Sequence, residues 1–145
     1  MLDTFKIQFD VSTSDINCPF LANIWVDNQC RYQNLQITEL HHIELILQDD
    51  EQEHELRIEL QGKTTDHTKV DADGNIIEDS TINIKSFVID DIDVNQLVMD
   101  KCVYIHDFNG TQALIHDSFH GTAGCNGTIS FKFSTPMYLW LLENM

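Results

Sequence analysis

Positive charge is scarce in this sequence, with 8 Lys plus Arg against 24 Asp plus Glu, for a formal net charge of −16 over 145 residues. A surface of that sign repels phosphate backbones, so direct nucleic-acid binding is the partner class it excludes first. It suits calcium, basic protein surfaces or solubility at high local concentration, and mimicry of DNA charge is open to it too. Long apolar runs are also missing. The longest uncharged apolar stretch, Met137 to Leu142, is far too short to span a bilayer. Met1 to Lys6 has neither the basic nor the apolar region of a signal peptide, so synthesis in a cytoplasm and no membrane partner are expected. None of the four cysteines (Cys18, Cys30, Cys102, Cys125) stands in a CxxC pair. Their even number permits two disulfides, while the lack of a secretion signal favours reduced, mostly buried thiols.

Catalytic templates are absent as well. There is no GxSxG, no Walker loop, no GxGxxG and no HExxH. The glycine-rich run Gly121 to Gly127 lacks the lysine and the following amphipathic helix of a phosphate cradle, and reads as a tight bend before a strand at Ile129. Cys125 within it has no neighbouring base. The chain is therefore expected not to be an enzyme.

What is present is period-two alternation. Phe5, Ile7, Phe9 and Val11 alternate with polar residues. Further candidate strands hold Ile24 and Val26, then Ile43, Leu45 and Leu47, then Leu56, Ile58 and Leu60. The polar run Gln48 to Glu53 between the last two has hairpin-loop character. Ile82 and Ile84 begin another strand that Phe87 to Val94 continues or replaces. Val103 and Ile105, Ala113 to Ile115, and Ile129, Phe131 and Phe133 complete the series. Helical signal is confined to a single turn over Asp93 to Met99, with Asp93 as its cap. No repeat or linker divides residues 1–145. The expected architecture is one all-β domain, a two-sheet antiparallel sandwich of jelly-roll type, with a small barrel as the alternative.

Three constellations invite a chemical reading. Asp71, Asp73 and Asn75, followed by Glu78 and Asp79, alternate oxygen side chains as a calcium loop begins, yet Ile76 and Ile82 stand where an EF-hand needs glycine and glutamate. The same residues also make a turn around Gly74. Asp90, Asp91 and Asp93 close an apolar strand, where carboxylates either gather a metal or simply keep a strand terminus solvated. His106, His116 and His120 are the candidate set for a zinc hydrolase, weakened by the loop-like sequence around them; His41 and His42 fall on opposite faces of a strand. The ending Pro136 to Met145 is strongly apolar. It reads either as a last strand docked in the core or as a tail entering a neighbour through Tyr138, Trp140 and Leu142. Trp25, Tyr32, Tyr104 and Trp140 are the aromatics able to stack on sugars, with Trp25 and Trp140 in apolar surroundings typical of a core.

The stretches His54 to Thr64, Val70 to Asp79 and Ile84 to Val94, with the ending Tyr138 to Asn144, resemble small acidic proteins encoded by tailed phages. The central pattern of strand pair, acidic turn and Ile-Asp-Asp-Ile-Asp more distantly resembles calcium-dependent carbohydrate-binding modules of the xylan-binding type. The first resemblance implies a virion-associated β-sandwich on a head or tail, or between fibre and baseplate, whose partners are other virion proteins or further copies of itself. The second implies calcium held by loop carboxylates and coordinated by sugar hydroxyls. Two other function classes stand beside this one: an acidic inhibitor of a host enzyme that mimics DNA, and the zinc hydrolase.

Overall fold

The computed structural model describes residues 3–14, 20–37, 40–62, 68–70, 72–73, 76–79, 81–107, 113–124 and 126–144. Its strands are β1 (Thr4–Thr13), β2 (Leu21–Val26), β3 (Gln29–Gln36), β4 (His41–Gln48), β5 (Glu53–Gln61), β6 (Thr68–Val70), β7 (Ile76–Asp79), β8 (Ile82–Ile89), β9 (Ile92–Asp93), β10 (Val103–His106), β11 (Ile115–Ser118), β12 (Thr122–Ala123) and β13 (Gly127–Ser134). Two helices accompany them, α1 (Asn95–Lys101) and α2 (Met137–Asn144).

One sheet has the order β12-β8-β1-β4, with β9 paired to β8; the second runs β11-β10-β13-β5-β2-β3. Every pairing among the described residues is antiparallel. The sheets face each other as a sandwich and do not close into a barrel. Alternation does the sorting. Phe5, Ile7, Phe9 and Val11 of β1 are buried, as are Ile43, Leu45 and Leu47 of β4, against Leu56, Ile58 and Leu60 of β5 and Ile129, Phe131 and Phe133 of β13. Phe5 meets Phe133 edge-on across the two sheets at 6.3 Å, and Phe9 stacks on Phe87 at 4.6 Å.

Several elements depart from the sequence expectation, each for a visible reason. Ile82–Ile84 and Phe87–Val94 belong to one strand, β8, until its hairpin turn. Its buried positions change parity between Ile84 and Phe87, because Ser86 takes a positive φ of 62° and the register with β1 shifts there. That bulge returns Phe87 and Ile89 to the core. Gln48 to Glu53 does not close a hairpin. β4 pairs with β1, whereas β5 pairs with β13 and β2, so the segment crosses from one sheet to the other. Strand β3 carries no alternation in the sequence, because its edge position leaves it without alternating burial. The apolar C-terminus forms a helix rather than a last strand. Met137, Trp140 and Leu141, spaced three and four apart, bury one stripe of helix α2. The expected turn at Asp93 extends to the seven residues of α1, and the Asp93 carboxylate accepts the Asn95 N–H at 3.0 Å. Of the cysteines, Cys30 and Cys102 are free thiols, while Cys18 and Cys125 lie outside the described residues. Burial pushes the Cys102 thiol up to about 12.

Candidate functional site

Both sheets end together at one edge of the sandwich. Thr4 faces Gln48, Val26 faces Leu56 and Ser134 faces Glu53, which gathers the β2–β3 turn, the β4–β5 crossing and the start of α2. Asp27 opens that turn at a positive φ of 54°, a conformation Asp tolerates better than most side chains. Its backbone N–H donates to Glu55 O and its Oδ1 accepts the Glu55 N–H, both at 2.9 Å. Those bonds aim Oδ2 at His54.

His54 keeps the parity of Leu56, Ile58 and Leu60, so period two turns it toward the interior beside Phe133, with ring centroids 5.6 Å apart. A polar ring at such a position requires partners. It has two: Nδ1 lies 2.7 Å from Asp27 Oδ2 and Nε2 lies 2.7 Å from Asp50 Oδ1. A ring that donates from both nitrogens is an imidazolium. Burial works against that charge, but the bonds to Asp27 and Asp50 outweigh it and hold the His54 pKa above the usual histidine value. In return His54, with help from the Thr135 hydroxyl at 2.9 Å, holds the Asp50 carboxyl below its usual range. This carboxylate–imidazolium–carboxylate chain ties the β2–β3 turn, β5, the sheet crossing and the end of β13 into one unit.

A cleft of about 790 Å³ opens beside it. Val26 and Leu47 contribute its apolar surface, and Asp27, Asn28, Gln29, Arg31, Gln48 and Asp50 its polar surface. Arg31 reaches across to the Ile46 carbonyl at 3.2 Å, and its Nε is buried without a hydrogen-bond partner among the described residues. On the other side of Asp27 and His54, a second hollow of about 540 Å³ is lined by Glu53, Glu55, Lys132 and Trp140. Volumes of this size hold small polar ligands.

The residues singled out in the sequence are scattered around this unit. Asp90 and Asp91 form the two-residue turn between β8 and β9, both at positive φ (47° and 67°), as a primed hairpin turn requires. Asp90 accepts the Lys6 N–H at 2.8 Å and the Tyr138 hydroxyl at 3.3 Å. Asp93 accepts the Asn95 N–H, but the N-cap position of α1 is Val94, one residue later than expected, and no side chain caps it. These carboxylates serve backbone and hydroxyl donors rather than converging on a point. Asp73 is exposed, Asp79 closes β7, and Asp71 and Asn75 lie outside the described residues. β6 and β7 pair across this segment, in keeping with the turn reading. The segment precedes β8 in the chain and the Asp90–Asp91 turn follows it.

His106 and His116 sit on adjacent strands with opposite parity, since Ile105 is the register partner of His116. His106 is buried and stacks on Tyr104 at 4.2 Å, while His116 is exposed, so the sheet lies between them. His120 follows in a loop beyond β11. Among the described residues no three His, Cys, Asp or Glu side chains converge as metal ligands. Of the aromatics, Trp140 and Tyr104 are buried, with Trp140 edge-on to Phe131 at 5.5 Å. Tyr32 packs against the core and donates to Glu44 O. Trp25 instead lies on the outer face of its sheet, beneath the Arg57 guanidinium at 5.5 Å. Tyr138 and Leu142 are exposed on α2.

Asp27, His54 and Asp50 carried no motif. The available signal was parity: His54 occupies an inward position of its strand, and an inward histidine needs acids nearby.

Two solved structures share this architecture. The selenomethionine form of vCBM60, described with a circular permutation linking two families of calcium-dependent carbohydrate-binding modules, superposes with a TM-score of 0.54 at 12% identity. It covers 88% of this chain and 89% of its own. The complex of vCBM60 with galactobiose gives 0.50 at 15% identity, over 87% and 96%. The fold shared with them is a two-sheet antiparallel β-sandwich. The chain matches no protein-family model and no curated protein.

The neighbours are calcium-dependent, and this chain's acids fit that ion unevenly. The Asp90–Asp93 turn does not offer a set of oxygens converging on one point, because Asp90 and Asp93 already accept protein donors on different sides. The alternating oxygens of residues 71–79 are the right donors for a hard cation.

Proposed function

We propose that this chain is a non-enzymatic, single-domain carbohydrate-binding module carried by a virion, and that it takes sugar in the cleft beside Asp27, His54 and Asp50. The observation that carries the reading is a polar cleft at the loop end of a sandwich shared with carbohydrate-binding modules. Sugar hydroxyls are recognised by planar side chains that present paired donors or acceptors, and Asn28, Gln29, Arg31 and Gln48 border the cleft. The Asp27–His54–Asp50 chain keeps that wall fixed before any ligand arrives, which lowers the ordering cost of binding. Calcium, on this reading, belongs to the acidic segment 71–79 rather than to the Asp90–Asp93 turn. The virion half rests on the resemblance to phage proteins and on an acidic surface suited to crowded assembly.

A glycan array that includes galactobiose and xylo-oligosaccharides tests the sugar claim. Arg31→Ala should weaken whichever glycan binds by tenfold or more in calorimetric titration. A silent array, or an unchanged Arg31→Ala affinity, removes the cleft as a sugar site. Millimolar calcium should raise the melting temperature above that of an ionic-strength-matched sodium control, and equal melting would remove the ion. Co-purification with particles tests the location.

A further inference from the structure

Helix α2 buries Met137, Trp140 and Leu141 and turns its other side outward. That side carries Tyr138, Leu139 and Leu142, which are 55%, 51% and 75% exposed. Residues 138, 139 and 142 lie one and four apart, so they form one continuous stripe. A surface helix normally offers polar groups there.

The groups meeting this stripe are acids. Asp90 accepts the Tyr138 hydroxyl, Asp49 accepts the Met137 N–H at 3.2 Å, and Glu143 stands on the helix itself. The charges of Asp90 and then Asp49 push the Tyr138 pKa up, which places both carboxylates electrostatically beside the ring. Lys6, whose N–H binds Asp90, directs its own ammonium to Glu44 at 3.5 Å. A second copy would set the same acid rim against itself, with −16 on each partner. That juxtaposition is repulsive, and it selects a partner of the opposite sign.

We propose that the Tyr138–Leu139–Leu142 face of α2 docks on a protein surface that offers apolar anchors ringed by Lys and Arg. The proposal names the surface and partner chemistry for the assembly half of the function above. It is independent of the sugar half, so a silent glycan array leaves it standing.

The probe is a synthetic amphipathic helix of leucine and lysine, compared with a scrambled peptide of identical composition. The intact chain should bind the amphipathic peptide at least tenfold tighter than the scrambled one. Leu139→Ser combined with Leu142→Ser should abolish that preference while leaving the melting temperature unchanged, both side chains being exposed. Glu143→Lys should weaken the amphipathic peptide severalfold and reduce the salt dependence of its binding. Equal affinity for the two peptides, or an unaltered preference in the double variant, overturns the proposal. Concentration-dependent self-association lost in the double variant would assign the face to a second copy instead. Binding to neutral phosphatidylcholine vesicles lost in the same way would assign it to lipid.

Discussion

At the scale of single residues, His54 has the most to say. Its imidazolium sits between two carboxylates, so replacing it leaves Asp27 and Asp50 facing each other without a cation. His54→Gln should cost roughly 2–3 kcal/mol in urea unfolding near pH 5, the usual worth of hydrogen bonds to charged groups. The pH dependence follows from the two shifts. The raised His54 value makes its contribution complete below the ordinary histidine pKa and loses it as pH rises through the folded-state value. The lowered Asp50 value makes its contribution complete above the ordinary carboxyl pKa and loses it as pH falls through the folded-state value. The difference between wild type and variant should therefore peak on the mildly acidic side of neutrality and shrink toward pH 9. A difference that stays constant from pH 5 to 9 would show that the ring is not held charged. None of this unit is legible in the sequence, because its three members are 23 and 4 residues apart along the chain and only the fold joins them. Of the acids that the sequence singles out, Asp90 and Asp91 form a tight turn instead, and Asp93 accepts the Asn95 N–H at the start of α1.

At the scale of elements, strands announced themselves wherever one face is buried. β1, β4, β5 and β13 were legible because alternation writes the core into the sequence. β3, at an edge with neither face fully covered, left no such mark. α2 reads as a strand in the sequence because eight apolar-rich residues look alike in either period until the i, i+3, i+4 spacing is tested. The helix supplies its own check. Trp140→Ala removes a buried indole packed on Phe131 and should cost about 3–5 kcal/mol, the usual range for an aromatic core truncation. Leu142→Ala, two residues on and exposed, should stay within about 0.5 kcal/mol. Equal costs for the two would mean that α2 does not sit on the sandwich as described.

At the scale of the whole molecule, charge dominates. The basic side chains are too few to neutralise the acids, and an exposed pair such as Lys6–Glu44 adds little to lose when salt is raised. Screening should instead relieve self-repulsion, so the melting temperature should climb by a few degrees between 20 and 500 mM sodium chloride. A flat or falling response would mean that the acids are better compensated than their number implies. Order of synthesis is governed by a different feature, the place of β13. It lies between β5 and β10 in the larger sheet, yet it follows both in the chain. Until β13 has left the ribosome, β5 and β10 therefore each carry a bare hydrogen-bonding edge and have no common partner. The sheet closes only when Gly127 to Ser134 emerges and threads between them. Until then the growing chain is open to pairing with its neighbours, which makes the crowded polysome, rather than the finished fold, the stage most exposed to aggregation.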